Sequence, residues 1–286
     1  MAAYSDIPYL IDLIDDESPV VQDAIGQAFK KMGPDLEQKL KPFSLELANS
    51  TQEKLHQLTQ NIRMEKFEVH WLDWLEIEDE REALESAMGW LSYLSAPWGA
   101  PSLSTLLDNL QDRFFSKGNW TEVPLLLDFL FRREEFTSPQ DTYYDPSNSN
   151  LIEVIQRRQG LQISLSLIAV MLARRLTLPL YGFNMPGHFM MVWRKENEYS
   201  LHDPFNQGKS LPRPTQLYLE RILKNRGETI KIYHVETHQI VLRVLRNLIN
   251  AHTRINDESM AAAYQTYHDK LVQLIKTREE IQEDSK

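Results

Sequence analysis

Between Ser164 and Asp203 the residues themselves dictate an order of elements. "SLSLIAVMLARR" is apolar at helical spacing and predicts a long helix from about Ser164 to Arg175. "LPLYGF" reads as a strand, "NMPG" as a turn and "HFMMVW" as a second strand. "KENE" is a polar hairpin tip, and "YSLHDPF" is a third strand closed by Asp203-Pro204. The result is one helix followed by antiparallel strands. His188 opens one strand and Asp203 closes its neighbour. In antiparallel neighbours joined by a tip, the start of one lies opposite the end of the next. The spacing therefore predicts that His188 and Asp203 sit side by side, hydrogen-bonded and largely buried. That is the base and orienter of a nucleophilic triad. His202 alternates with Asp203 and should face away from the pair.

A triad also needs a nucleophile, and the chain contains no cysteine. Disulfides, thiolate metal sites and thiol chemistry are excluded together.

The stretch "YYDPSNSNLIEVIQRRQGLQISLSLIAVMLARRLTLPLYGFNMPGHFMMVW", followed by "HDPFNQG", resembles the transglutaminase-like superfamily. Within it, the stretch is similar to the bacterial subfamily named for the SirB locus. The resemblance covers roughly residues 100 to 260. It implies an α+β fold, a papain-like core with a helix packed on an antiparallel sheet. In active members a cysteine at the start of the long helix is the nucleophile, and histidine and aspartate follow on successive strands. His188 and Asp203 match those second and third members. Counting back from "LTLPL" puts Gln162 in the cysteine's place, in Gly160-Leu161-Gln162 where active members read Gly-x-Cys. SirB-type proteins usually read glycine-isoleucine-proline there, so Gln162 departs from both. Ile152 likewise replaces the asparagine of that subfamily's "NEV".

Three readings of the site follow. In the first, the fold is non-catalytic and regulatory or binding, and His188 and Asp203 survive as a buried pair pinning two strands. In the second, Ser164 is the nucleophile of an amide or ester hydrolase with His188 and Asp203. That requires Ser164 within ~2.6–3.2 Å of its base, yet a helix turning ~100° per residue carries it off the cysteine's line of attack. In the third, the pocket holds a peptide, amide or small molecule without chemistry, and Gln162 hydrogen-bonds it. A protein or peptide partner is expected, with no cofactor and no metal.

The flanking regions are helical and give a division into residues 1–95, 96–235 and 236–286. In the first, Leu10, Leu13 and Ile14, then Val20, Val21, Ala24, Ile25 and Ala28, fall at helical spacing. Ser18 and Pro19 supply an N-cap and a first helical residue. This hairpin resembles a single HEAT-type repeat and should pack on its neighbour. Trp71 and Trp74 are too bulky to leave in water. "EIEDERE" reads as the first turn of a helix, where carboxylates suit the macrodipole. "SAPWGAPSLS" is a loop packed through Trp98. Asp145 and Asn148 fall in a turn and should bond local backbone. Arg157 and Arg158 are expected to pair with Asp145 and Glu153. "VLRVLRNLINAH" resembles the helical hairpin, like a tetratricopeptide repeat, that follows the SirB-type core. The polar end from Arg278 is expected to fray. "ETIKIYHVE" reads as a strand ending in a turn, so His234 and His238, four apart, are not helical zinc ligands.

The net charge of −10 argues against sequence-independent nucleic-acid binding, which needs a basic footprint. No apolar run approaches the ~20 residues of a membrane-spanning helix, and no basic region precedes an apolar stretch at the start. The cytoplasm is the expected compartment.

Overall fold

The computed structural model describes residues 4–284 except 34, 117, 119–121, 186, 196–197 and 226–234. Four helices come first: α1 (Ile7–Asp12), α2 (Pro19–Lys31), α3 (Leu36–Ser44) and α4 (Asn49–His70). Ser18 stands at the N-cap of α2 and Pro19 begins it, where the missing N–H costs nothing. The buried stripe is Ile7, Ile11 and Ile14 with Ile25 and Phe29, packed on Leu36, Leu40, Leu55 and Ile62. Leu13 and Val20 were expected in this stripe but face solvent, 46% and 79% exposed. The i, i+4, i+7 ridge starting at Ile7 leaves Leu13 on the opposite side.

A buried ion pair within this unit also grips the 95–102 loop. Glu37 of α3 accepts from Arg63 of α4, at 3.0 Å from Nε and again from Nη2. Arg63 Nη1 also donates to the Ala96 carbonyl at 2.6 Å, and Gly99 N–H donates to Glu37 at 2.9 Å. Trp98 Nε1–H donates to Thr59 Oγ1 at 2.9 Å, so the 95–102 loop is packed.

A 3-10 turn (Asp73–Glu76) leads to α5 (Glu80–Leu94), whose N-cap Asp79 accepts from Arg81 N–H. Trp71 and Trp74 are buried, as their bulk requires. Then come α6 (Leu103–Phe115) and α7 (Val123–Asp128), the latter running into a π-helical turn, Phe129–Arg133.

The central layer is α8 (Leu151–Arg157), α9 (Gln162–Arg175) and a sheet. Helix α9 starts two residues before the expected Ser164. Every residue from Ile163 to Ala173 is buried, as a helix apolar on all sides must be. Each such Leu, Ile or Met contributes ~1.5–3 kcal/mol by leaving water. The strands β1 (Leu180–Met185), β2 (His188–Arg194), β3 (Tyr199–Asp203) and β4 (Lys209–Ser210) follow in that order, all antiparallel. Phe189 and Met191 join the main core with α9. Helix α10 (Arg213–Lys224) covers the other face, where Leu223 packs with Phe183, Met190, Val192 and Leu201.

Helices α11 (Thr237–Arg254) and α12 (Glu258–Asp284) form the closing hairpin. Tyr264 and Leu271 reach the main core. The end of α12 continues to Asp284 rather than fraying from Arg278. Arg278 Nη1 donates to the Leu75 carbonyl at 3.0 Å, and Nη2 pairs with Glu76. The strand expected at residues 228–236 lies almost wholly outside the described residues, as does His234. Among the described residues, no helix is long and apolar enough to cross a membrane.

Candidate functional site

The residues before α9 are held by a dense set of backbone bonds. Arg158 ends α8 in the left-handed region, φ 62°. Its carbonyl accepts from Thr137 N–H at 2.9 Å, and the Thr137 carbonyl accepts from Gly160 N–H at 3.2 Å. A Cβ on Gly160 would lie 2.7 Å from Val154 Cγ1, so glycine is what lets α8 and α9 approach here. Leu161 N–H then donates to the Asn148 carbonyl at 3.1 Å. These contacts fix Gln162 as the first residue of α9, at the mouth of the sheet.

Gln162 Nε2 lies 3.3 Å from His188 Nδ1. The structure thus brings together the residue in the cysteine's place and the histidine. His188 is exposed. Asp203 is not its partner. The Asp203 carboxylate accepts from Phe205 N–H at 2.9 Å and caps the 3-10 turn Pro204–Asn206. The reason lies in the hairpin. Arg194 pairs with Tyr199 and Met191 with His202, and Lys195 N–H donates to the Glu198 carbonyl at 2.8 Å. Continuing that register sets Asp203 opposite Met190, two residues along from His188. Diagonal positions of this kind lie ~7–8 Å apart. The expected buried hydrogen bond is therefore absent from this structure.

Ser164 and Ser166 are both buried. Ser164 Oγ–H donates to the Asn148 carbonyl at 2.7 Å, and Ser166 Oγ–H to the Phe189 carbonyl at 3.4 Å. Neither hydroxyl is directed to His188. His202 faces the α9 side, opposite Met191. Its Nδ1 lies 2.8 Å from the Gly208 carbonyl and its Nε2 2.9 Å from Ser200 Oγ. Burial holds its pKa below the ordinary histidine value, only partly offset by the Gly208 bond. A neutral ring donating from Nδ1 and accepting at Nε2 satisfies both contacts.

Around the mouth, Asp145 accepts from Ser147 N–H at 2.9 Å, and Asn148 Nδ2 donates to the Thr142 carbonyl at 2.5 Å. Both bond local backbone, as their turn chemistry predicts. Arg157 donates to Ser147 Oγ and, at 3.3 Å, to Asn148 Oδ1. Arg158 pairs with Glu134 at 2.5 Å. Asp145 and Glu153, the expected partners, are bypassed because the left-handed end of α8 swings Arg158 toward Glu134. Glu153 is half-buried, and desolvation raises its pKa more than Arg157 lowers it. Arg243 of α11 donates to Met185 O at 2.7 Å and also to Asn184 Oδ1. Met185 is the β1 partner of His188, so the closing hairpin braces the turn that carries the histidine. Arg243 carries no signal in the sequence beyond its place in an amphipathic stripe.

The family model for the transglutaminase-like superfamily matches residues 100–246, just over half of the chain. The chain belongs to the transglutaminase-like superfamily. Among curated proteins, a "UPF0162 protein" from Xylella fastidiosa is 32% identical over 164 residues, which is 54% of this chain and 57% of that one. A UPF0162 protein from Pseudomonas aeruginosa is 33% identical over 120 residues, 41% of this chain and 44% of that one. The human "F-box only protein 21" is 29% identical over 151 residues, 50% of this chain and 23% of its own length. The chain thus spans a little over half the length of the first curated relatives it matches. No solved structure matches it. A transglutaminase-like chain without cysteine has no thiol nucleophile, whatever else its site does.

Proposed function

We propose that this is a SirB-type member of the superfamily that binds rather than transforms its ligand, with Gln162 and His188 contacting a peptide or amide. The observation that carries this reading is the contact between the Gln162 amide and His188 at an exposed site. A carboxamide has no useful nucleophilicity, but it offers a donor and an acceptor, and so does a neutral imidazole. The two together suit the N–H and C=O of a peptide group. The three-part division into residues 1–95, 96–235 and 236–286 belongs to the same proposal, with the HEAT-like and tetratricopeptide-like hairpins as flanking docking elements for a cytoplasmic protein partner. The similarity to part of the much longer F-box only protein 21 suits a domain used as a module.

The serine-hydrolase alternative would require Ser164 to abandon the Asn148 carbonyl and leave a site that is 1% exposed. Nothing in the geometry favours that exchange.

Two assays test the proposal. The purified chain should turn over neither amide nor ester substrates; turnover lost in both Ser164→Ala and His188→Ala would establish the hydrolase instead. Titration with glutamine-containing peptides should show binding that Gln162→Ala and His188→Ala each weaken about tenfold, or ~1.4 kcal/mol. Peptide affinity unchanged in both variants would contradict it.

A further inference from the structure

A second concavity lies at the other end of α9. From Gln162 to Arg174 is ~18 Å along the helix at ~1.5 Å per residue, and neither Gln162 nor His188 lines this cleft. It opens between the amino-terminal helices, α5, the 95–102 loop and the end of α9, with a volume of about 690 Å³. Small-molecule sites typically have volumes of ~300–1,000 Å³. Trp90 and Tyr93 of α5, Ile77 and Met171 provide apolar wall.

Two features of the cleft point to a ligand. The first is Gly89. It sits in the middle of α5, and a Cβ built on it meets nothing within 4 Å. Alanine there would be more stable by ~1 kcal/mol, and no packing forbids it. The glycine leaves space over the cleft floor. The second is Arg174. The two other guanidiniums lining the cleft that are largely buried each hold a carboxylate: Arg63 binds Glu37 and Ala96 O, and Arg175 binds Glu85, Asp108 and Ser104. Arg174 has five N–H groups and one acceptor, the Glu80 carbonyl at 2.9 Å. That acceptor is a backbone carbonyl rather than a carboxylate. Burial lowers its pKa, more than Glu80 and Asp79 raise it. Five basic and five acidic side chains line the walls, so a single negative charge suits the cleft and a dianion would meet Asp79 and Glu82.

We propose that this cleft binds an organic monocarboxylate with an aromatic or branched apolar body. Its carboxylate would take the free edge of Arg174, bidentate as guanidinium–carboxylate pairs are. Its body would lie over Gly89 between Trp90, Tyr93 and Met171.

The test is calorimetric titration of the full chain with phenylbutyrate and with its neutral amide. Phenylbutyrate should bind at least about tenfold tighter than the amide. Arg174→Gln should erase that preference. Gly89→Phe, which fills the open space from the helix, should abolish binding of both. Gly89→Ala, melting no lower than the parent, reports on the helix itself. If Gly89→Phe fails to fold, Arg174→Gln decides alone. Absence of binding by the parent, equal affinity for acid and amide, or full affinity for the acid in folded Arg174→Gln would each overturn the proposal.

Discussion

Replacing Glu37 by alanine should destabilise the protein by about 3–5 kcal/mol. Glu37 is 9% exposed and Arg63 7%. The carboxylate accepts from Arg63 Nε, Arg63 Nη2 and Gly99 N–H. Removing it leaves a guanidinium buried with only the Ala96 carbonyl and the Tyr93 ring, 5.2 Å away, as partners. It also orphans the Gly99 amide, and each unsatisfied buried group costs ~1–3 kcal/mol. Against an ordinary total stability of ~5–15 kcal/mol, that is a large share. Urea unfolding followed by tryptophan fluorescence reads it directly, because Trp98 lies in the loop the pair holds. Glu37→Met combined with Arg63→Met should recover most of the loss, since an apolar pair leaves no charge uncompensated. A single Glu37→Ala variant within 1 kcal/mol of the parent would refute the reasoning, and so would a double variant less stable than the single.

Three further outcomes follow from the site. His188→Ala should leave the unfolding midpoint within about 0.5 kcal/mol, because an exposed ring without a carboxylate partner carries little stability; a loss above 1 kcal/mol by urea titration would restore the structural pairing. Asp203→Ala should cost about 0.5–2 kcal/mol, the usual worth of a capping carboxylate, and an unchanged midpoint would remove that role. His202 is held below the ordinary histidine value of about 6.5 by burial, so the folded state binds its proton less readily than the unfolded chain. Its contribution is fully present above pH 6.5 and is lost as pH falls below 6.5 toward the folded-state pKa; His202→Gln should flatten that part of a melting-temperature profile, and an unaltered slope would show that another group titrates.

Local signals read well from the sequence, and distances set by long-range packing did not. Ser18 with Pro19 marked the start of α2, and the acidic turn marked the start of α5. The long apolar run gave α9, and short apolar runs bounded by turn residues gave the three longer strands. The family resemblance put Gln162 in the nucleophile's place at the start of α9, where it meets His188. The missing hydrogen bond to Asp203 follows from register: with "KENE" as the tip, Arg194 pairs with Tyr199, and Asp203 falls opposite Met190 rather than His188. Helix α10 escaped the reading even though Leu219, Ile222 and Leu223 sit at helical spacing after two prolines. The Glu37–Arg63–Ala96 link joins residues up to 59 apart in the chain, so no local pattern announces it. The same holds for the cleft over Gly89, whose walls come from five separate segments. Arg158 illustrates the point at one residue: its left-handed backbone redirects it to Glu134, 24 positions away.

The central claim is that Gln162 occupies the nucleophile's position beside His188. The chain contains no cysteine, so Gln162→Cys introduces a single thiol whose reactivity can be read without background. Alkylation by iodoacetamide at pH 6.5 measures its thiolate fraction. A neighbouring imidazolium lowers a thiol's pKa from ~8.5 toward or below neutrality. The account predicts that Gln162→Cys reacts about tenfold faster than the same variant carrying His188→Ala. Equal rates in the two variants would contradict it.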